Sequence, residues 1–456
     1  MNTIIAESIQ NFSIDDYRPI VVRDLDLGEP LVPRRGNLVK VVMGMRRSGK
    51  SYRLLQEMDA LLDSGVSSAR ICYFNFEDDR LAPVTSSTGD EVLEAFYASN
   101  PSALDEGAYL FFDELQEMDG WGRWLRRVVD TTKATVYVSG SSSKMLSSEI
   151  STEFRGRALG FELLPFSFSE YVRATDIDAR AGKLVHSTKE RLILENAFAE
   201  YLESGGFPAT VGLLRQHAIM LLQSYVERVV VRDVVERHGL SRYHVANALV
   251  RRAMACNAMP FSLRKAEADM RSLGIKTSRA TLACILGYFE NAYLLFTVNQ
   301  FSYALSQRTT AVPKVYAVDA GLALANAKAN TNNLGQRLED AVYLELRCRC
   351  SWLRRESICS YQTRGHGYEV DFVVGDVLER EPYEFVQVSA DVSDEATLER
   401  ELRALWEAMG ESGVSESALV VLEGAERSYE RQGMTVRQVP AWRWFTEASR
   451  ERIGYE

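Results

Sequence analysis

Gly44-Met45-Arg46-Arg47-Ser48-Gly49-Lys50-Ser51 lies between an apolar run and an amphipathic one, and few folds accommodate that order. Before it, Leu38-Val39-Lys40-Val41-Val42-Met43 is short and rich in β-branched residues, as a strand is. After it, Tyr52 to Leu62 reads as a helix with Leu54, Leu55, Met58, Leu61 and Leu62 on one side. Strand, glycine-rich loop and helix form a phosphate-binding loop. Gly44 and Gly49 allow successive backbone N–H groups to turn inward toward phosphate oxygens. The helix start adds its partial positive charge. Lys50 reaches toward β- and γ-phosphates, and the Ser51 hydroxyl is a Mg²⁺ ligand. Gly44, Arg47, Ser48, Gly49, Lys50, Ser51 and Tyr52 are therefore expected to line a nucleotide.

Residues 37–165 alternate strand and helix around that loop. Ile71 to Phe76 reads as a second strand, Ala108 to Phe112 as a third and Thr135 to Ser139 as a fourth. A helix around Glu91 to Ala98 and another over Gly120 to Asp130 separate them, the latter with Trp121, Trp124, Leu125 and Val128 at helical spacing. Continuous apolar strands joined by helices predict an α/β, P-loop NTPase parallel sheet covered on both faces. Ligands of such sheets bind at the carboxyl ends of the strands. The loop, Asp113-Glu114 and Ser139 all fall there.

Asp113 is expected to hold Mg²⁺ opposite Ser51, and Glu114 to take a proton from the attacking water. Gln116 would face the same side. Ser139 is read as a γ-phosphate sensor, although a serine among 139–143 also suits a helix cap before Lys144. Arg155 and Arg157 admit two readings. One of them, with Arg157 favoured, stabilises charge on the γ-phosphate from its own or a neighbouring subunit. Alternatively they form a solvated turn paired to Glu153 or Glu162.

The rest of the chain divides in two. Residues 166–330 read as mainly helical, with a winged helix at about 260–320: helix Leu263 to Ser272, turn at Gly274, helix Ser278 to Asn291, then two strands. From Arg251 to Leu282 seven Lys/Arg stand against two acids, a balance of +5 in a protein of formal charge −10. That contrast leaves two uses open, contact with DNA at the start of the second helix or packing within the protein. Residues 331–456 form a small α/β domain. Helix Glu339, strand Asp371 and strand Gln387-Val388-Ser389 follow the order of a restriction-endonuclease-like fold. Gln387 replaces an acid and Ser389 a lysine there, so an inactive site is expected.

The 456 residues allow about two to four domains. No apolar run approaches the ~18 residues of a membrane span. The first residues lack a basic start followed by an apolar core, and the six cysteines show no zinc spacing. A cytoplasmic protein with reduced thiols and no membrane partner is expected. The net charge of −10 argues against a protein that coats nucleic acid non-specifically, while leaving room for a local basic patch.

With these parts in place the chain resembles a family of prokaryotic AAA+-type ATPases with a C-terminal nuclease-like domain. The resemblance rests on Gly44 to Ser51, Phe111 to Gln116, Ser139 to Ser141, Gly156-Arg157, Leu163 to Phe168, Lys314 to Asp319, Glu339 and Tyr368 to Phe372. It implies ATP rather than GTP, and an ATP-driven conformational switch or motor using Mg²⁺ is the function expected of the chain. It leaves open a homo-oligomer or a protein partner.

Overall fold

A computed structural model describes residues 2–140, 156–175, 187–240, 242–302, 311–327, 333–350, 357–376 and 381–447. The chain forms two compact units, Met1–Leu164 with Asn291–Tyr293, and Pro165–Glu290 with Leu294–Glu456.

The first unit is built on strands β1 (Val39–Met43), β2 (Ile71–Asn75), β3 (Ala108–Asp113), β4 (Ala134–Gly140) and β5 (Ala158–Glu162). Their order is β2-β3-β4-β1-β5, every pair parallel. Every residue of β1, β3 and β4 is buried, which is why these strands read as unbroken apolar runs. Lys40 interrupts β1, and its ammonium offsets part of the cost of burial by donating to the Gly28 and Glu29 carbonyls. Successive strand residues face opposite sides of the sheet. Val42, Phe111 and Tyr137 meet Leu54, Leu55, Met58 and Leu61 of the Lys50–Asp63 helix. Phe112 meets the edge of Trp124, buried with Leu125 and Val128 in the Trp121–Thr131 helix. Each fully buried leucine adds about 1.5–3 kcal/mol, so these two faces fix where the strands end.

The second unit begins with helices Phe168–Ala174, Thr188–Ser204, Arg215–Arg228 and Tyr243–Ala255. Next come β6 (Met259–Pro260), helices Leu263–Ser272 and Arg279–Asn291, β7 (Leu295–Val298) and β8 (Lys314–Ala317). The three strands pair antiparallel in the order β6-β8-β7. Helix Leu334–Arg349 leads to β9 (Ile358–Gln362), β10 (Glu369–Asp376), β11 (Glu381–Asp391), helix Glu395–Ser412, β12 (Glu416–Glu423), β13 (Arg427–Arg431) and β14 (Met434–Pro440). The six-stranded sheet runs β13-β14-β12-β11-β10-β9, with β11, β12 and β14 parallel. A boundary at 330 falls inside this unit. Phe301 is buried in one core with Tyr361, Val373 and Phe385, and its N–H bonds the Ser360 carbonyl at 2.7 Å.

Candidate functional site

The loop after β1 is shaped by close approach. A Cβ on Gly44 would stand 2.1 Å from the Leu163 carbonyl oxygen, so only glycine fits. Arg47 (φ +68°) and Gly49 (φ +98°) both take the left-handed conformation, which turns the intervening N–H groups inward. Gly49, the cap residue of the helix that starts at Lys50, has no side chain to cap it, leaving its first N–H groups for a ligand. The Ser48 hydroxyl is buried in this loop, with no hydrogen-bond partner among the described residues. An orphaned buried hydroxyl beside inward N–H groups is what an oxyanion would satisfy.

The acidic side of the site comes from the neighbouring strand ends. Asp113 closes β3 and is fully buried. It accepts hydrogen bonds from the Ser139 hydroxyl at the end of β4 and from the Tyr73 hydroxyl of β2, the latter at 2.8 Å. Ser139 in turn accepts the Glu114 N–H at 3.1 Å. Ser139 thus holds both acids in position. Glu114 stands in the left-handed region (φ +49°), which turns its side chain away from the strand line. Its carboxylate lies 3.4 Å from the Lys50 ammonium and accepts from Gln116 at 2.5 Å. Burial pushes this carboxyl up, but Lys50, Gln116 and Arg46 outweigh burial and hold it below the usual carboxylate range. Lys50 also donates to the Met45 carbonyl at 3.2 Å. Ser51 follows in the first turn of the helix, and Tyr52 beside it is exposed, edge-on to Tyr17.

Arg157 does not join this site, and the γ-phosphate role expected of it within its own subunit is corrected here. It immediately precedes β5, and its carbonyl accepts the N–H of Val39, the first residue of β1. It therefore lies at the amino end of the sheet, roughly 16 Å along the strand from the loop. There it pairs with Asp130 at 2.5 Å. Arg155 and the serines at 141–143 lie outside the described residues.

Three further groups support the loop and the acids, and the sequence assigned no role to them. Buried Arg23 donates to the carbonyls of Ser48 (2.7 Å) and Leu164 (2.6 Å), bracing the loop. Arg46 pairs with Glu77 at 2.8 Å and Glu117 at 3.0 Å. Tyr73 orients Asp113.

A second polar cluster lines a cavity of about 550 Å³ in the second unit. Asp371 and Gln387 line it, and Glu339 joins them through its contact with Lys314. Ser389 instead turns its hydroxyl to the Asp391 carbonyl. Lys314, the first residue of β8, enters the same cluster from a distant stretch of sequence. Its ammonium lies 2.7 Å from Glu369, 3.0 Å from Glu339 and 3.5 Å from Asp371. Burial, reinforced by the Glu339 charge, pushes the Asp371 carboxyl up to about 8, against the pull of Lys314.

Residues 36–172 match the family described as AAA domain, and residues 195–333 match a domain of unknown function (DUF8612). An uncharacterized protein of Methanocaldococcus jannaschii is 30% identical over 445 residues, covering 96% of this chain and 93% of that protein. The chain belongs to the AAA+-type P-loop ATPase family. An uncharacterized protein of Haemophilus influenzae is 27% identical over 310 residues, covering 68% of this family member and 74% of its own length. Among solved structures, a Walker-type ATPase of Pyrococcus abyssi covers 63% of this chain and 90% of its own, at 15% identity and a TM-score of 0.39. The AAA-domain match spans the loop, Asp113-Glu114 and Ser139 together.

Proposed function

We propose that the first unit binds ATP and hydrolyses it with Mg²⁺, the turnover driving a conformational switch or motor. One observation supports this above the others. The loop with its orphaned Ser48 hydroxyl lies beside a buried acid pair, and Lys50 links the two through Glu114. The inward N–H groups, Lys50 and the Ser48 hydroxyl are the donors for the triphosphate. Ser51 and Asp113 would hold Mg²⁺, since each Asp113 oxygen keeps a lone pair beyond its one hydrogen bond. An ion held there would supply positive charge to the phosphates. Ser139 fixes Asp113 and the Glu114 backbone relative to each other. Glu114, ionised at neutral pH, accepts the proton of the attacking water. A phosphate that draws Lys50 away from Glu114 frees this base, which couples nucleotide binding to the acid's readiness. ATP turnover by the full chain is expected to require Mg²⁺, to stop with EDTA and to return when Mg²⁺ is restored. Turnover unaffected by EDTA overturns the metal assignment.

A second reading concerns DNA. Helix Tyr243–Ala255, β6, helices Leu263–Ser272 and Arg279–Asn291, β7 and β8 follow the connectivity of a winged helix. Arg252, Arg271 and Arg279 are engaged with Asp269 or Glu267, which lessens the positive face. Arg264, Lys265 and Lys276 remain exposed. On this reading duplex binding weakens steeply with salt, and the triple change of these three to alanine reduces the salt slope by about 3. No gel shift at low salt, with or without ATP, removes the reading.

A further inference from the structure

The carboxylates around Lys314 are engaged by the protein's own donors, with an ammonium at their centre. Glu339 Oε1 accepts both the Lys314 ammonium (3.0 Å) and the Tyr316 hydroxyl (2.7 Å), which uses its two lone pairs. Asp371 Oδ2 accepts the Val388 N–H at 3.0 Å, and Oδ1 faces Lys314. Gln387, where the nuclease-like pattern has an acid, is committed at both ends of its amide. Its oxygen accepts the Asp371 N–H at 3.1 Å, and its nitrogen donates to Glu401 at 2.7 Å. The ammonium has three N–H donors and three carboxylate neighbours, Glu339, Glu369 and Asp371. Its spacings of 2.7–3.5 Å suit N–H···O contacts, whereas Mg²⁺ draws oxygens to about 2.0–2.1 Å. A buried charge persists only when paired, so removing either partner leaves the other uncompensated.

We propose that Lys314 is a built-in cation. Its ammonium fills the position between Glu339 and Asp371, closes this pocket to divalent metal ions, and fastens β8 to β10 and to the Leu334–Arg349 helix. The inactive pocket inferred from Gln387 and Ser389 thus has a positive cause, a lysine standing where a metal would have to enter. Lys314 is 25 residues from Glu339 and 57 from Asp371, so the stretch Lys314 to Asp319 does not by itself announce the pairing. The inference concerns the second unit alone and stands or falls independently of the ATPase reading.

The test is Mn²⁺ binding by the nucleotide-free full chain, followed by electron paramagnetic resonance. An Asp113→Asn background removes the contribution of the first unit. The parent is expected to bind no Mn²⁺ in the second unit. Lys314→Ala should gain one site, and adding Asp371→Asn should abolish it. Lys314→Ala leaves three carboxylates without their cation and could fail to fold. A second variant, Lys314→Ala with Glu369→Gln, lowers that charge, and Mn²⁺ should raise its Tm while leaving the parent's Tm unchanged. Mn²⁺ binding by the parent that Asp371→Asn abolishes overturns the proposal. So does the absence of any Mn²⁺ binding or stabilisation in both lysine-less variants.

Discussion

Glu114→Gln is expected to retain ATP and to lose turnover by about 10²–10⁴-fold, the usual contribution of a positioned general base. The substitution is nearly isosteric. The new side-chain oxygen can still accept from Gln116, so the turn after β3 keeps its shape. What disappears is a buried negative charge 3.4 Å from Lys50. The ammonium is then less engaged at home and more available to phosphate, so binding of a fluorescent ATP analogue should be equal or tighter. Phosphate release measured under saturating ATP separates the two effects, and undiminished release would sink the assignment of Glu114 as base. A pH signature accompanies the loss. The folded carboxyl is held below its ordinary value, so its ion pair contributes stability above the unfolded carboxylate range. That contribution is lost as pH falls through the folded value. The glutamine variant should flatten this part of the acid-unfolding curve.

Much of the first unit could be read in advance because the chemistry and the burial coincide there. Strands β1, β3 and β4 are buried on both faces, so their sequences are apolar before their carboxyl ends except at Lys40 and Thr135. Their carboxyl ends are where the chain turns polar, which exposed Asp113, Glu114 and Ser139 as a set. Strand β5 escaped that logic. Ala158-Leu159-Gly160-Phe161-Glu162 is an edge strand with two exposed residues, and it has no apolar run to signal it. Missing β5 led directly to the misplacement of Arg157. Read as the residue after a sensor strand, it belongs near phosphate. Once β5 pairs parallel with β1, the chain must return to the amino end of the sheet before it, and Arg157 goes with it.

The positioning residues were illegible for a different reason. Arg23 reaches Ser48 and Leu164, which are 25 and 141 residues away. Tyr73 reaches Asp113 on the neighbouring strand, 40 residues on. Nothing periodic connects such pairs, because sheet register and loop closure bring them together only in the fold. Lys314 shows the same limit in the second unit. Gln387 and Ser389 could be recognised as departures from a nuclease pattern, since residue type and order are local. Which side chain neutralises Glu339 and Asp371 is decided by how β8 lies beside β10, and that is tertiary information.

Lys50→Ala is expected to lose ATP binding and turnover together, and this joint loss distinguishes it from Glu114→Gln. The ammonium is 3% exposed and donates to the Met45 carbonyl, so it stabilises the loop as well as facing its ligand. Removing one preorganised donor aimed at developing phosphate charge costs about 10²–10³-fold in turnover. The backbone N–H groups from Gly44 to Ser51 and the uncapped helix start remain, so residual binding should persist at high ATP rather than vanish. The loss of Lys50 has a second consequence inside the site. Glu114 keeps Gln116 and Arg46 but loses the largest of the charges holding its carboxyl down, so the acid limb of the pH–rate profile should move to higher pH. Lys50→Met retains most of the buried stem and serves as the control for packing. If its melting temperature matches the parent and its turnover still falls with Lys50→Ala, the loss belongs to the charge. Wild-type turnover in Lys50→Met would instead remove Lys50 from the phosphate site and with it the reading of this loop as the seat of hydrolysis.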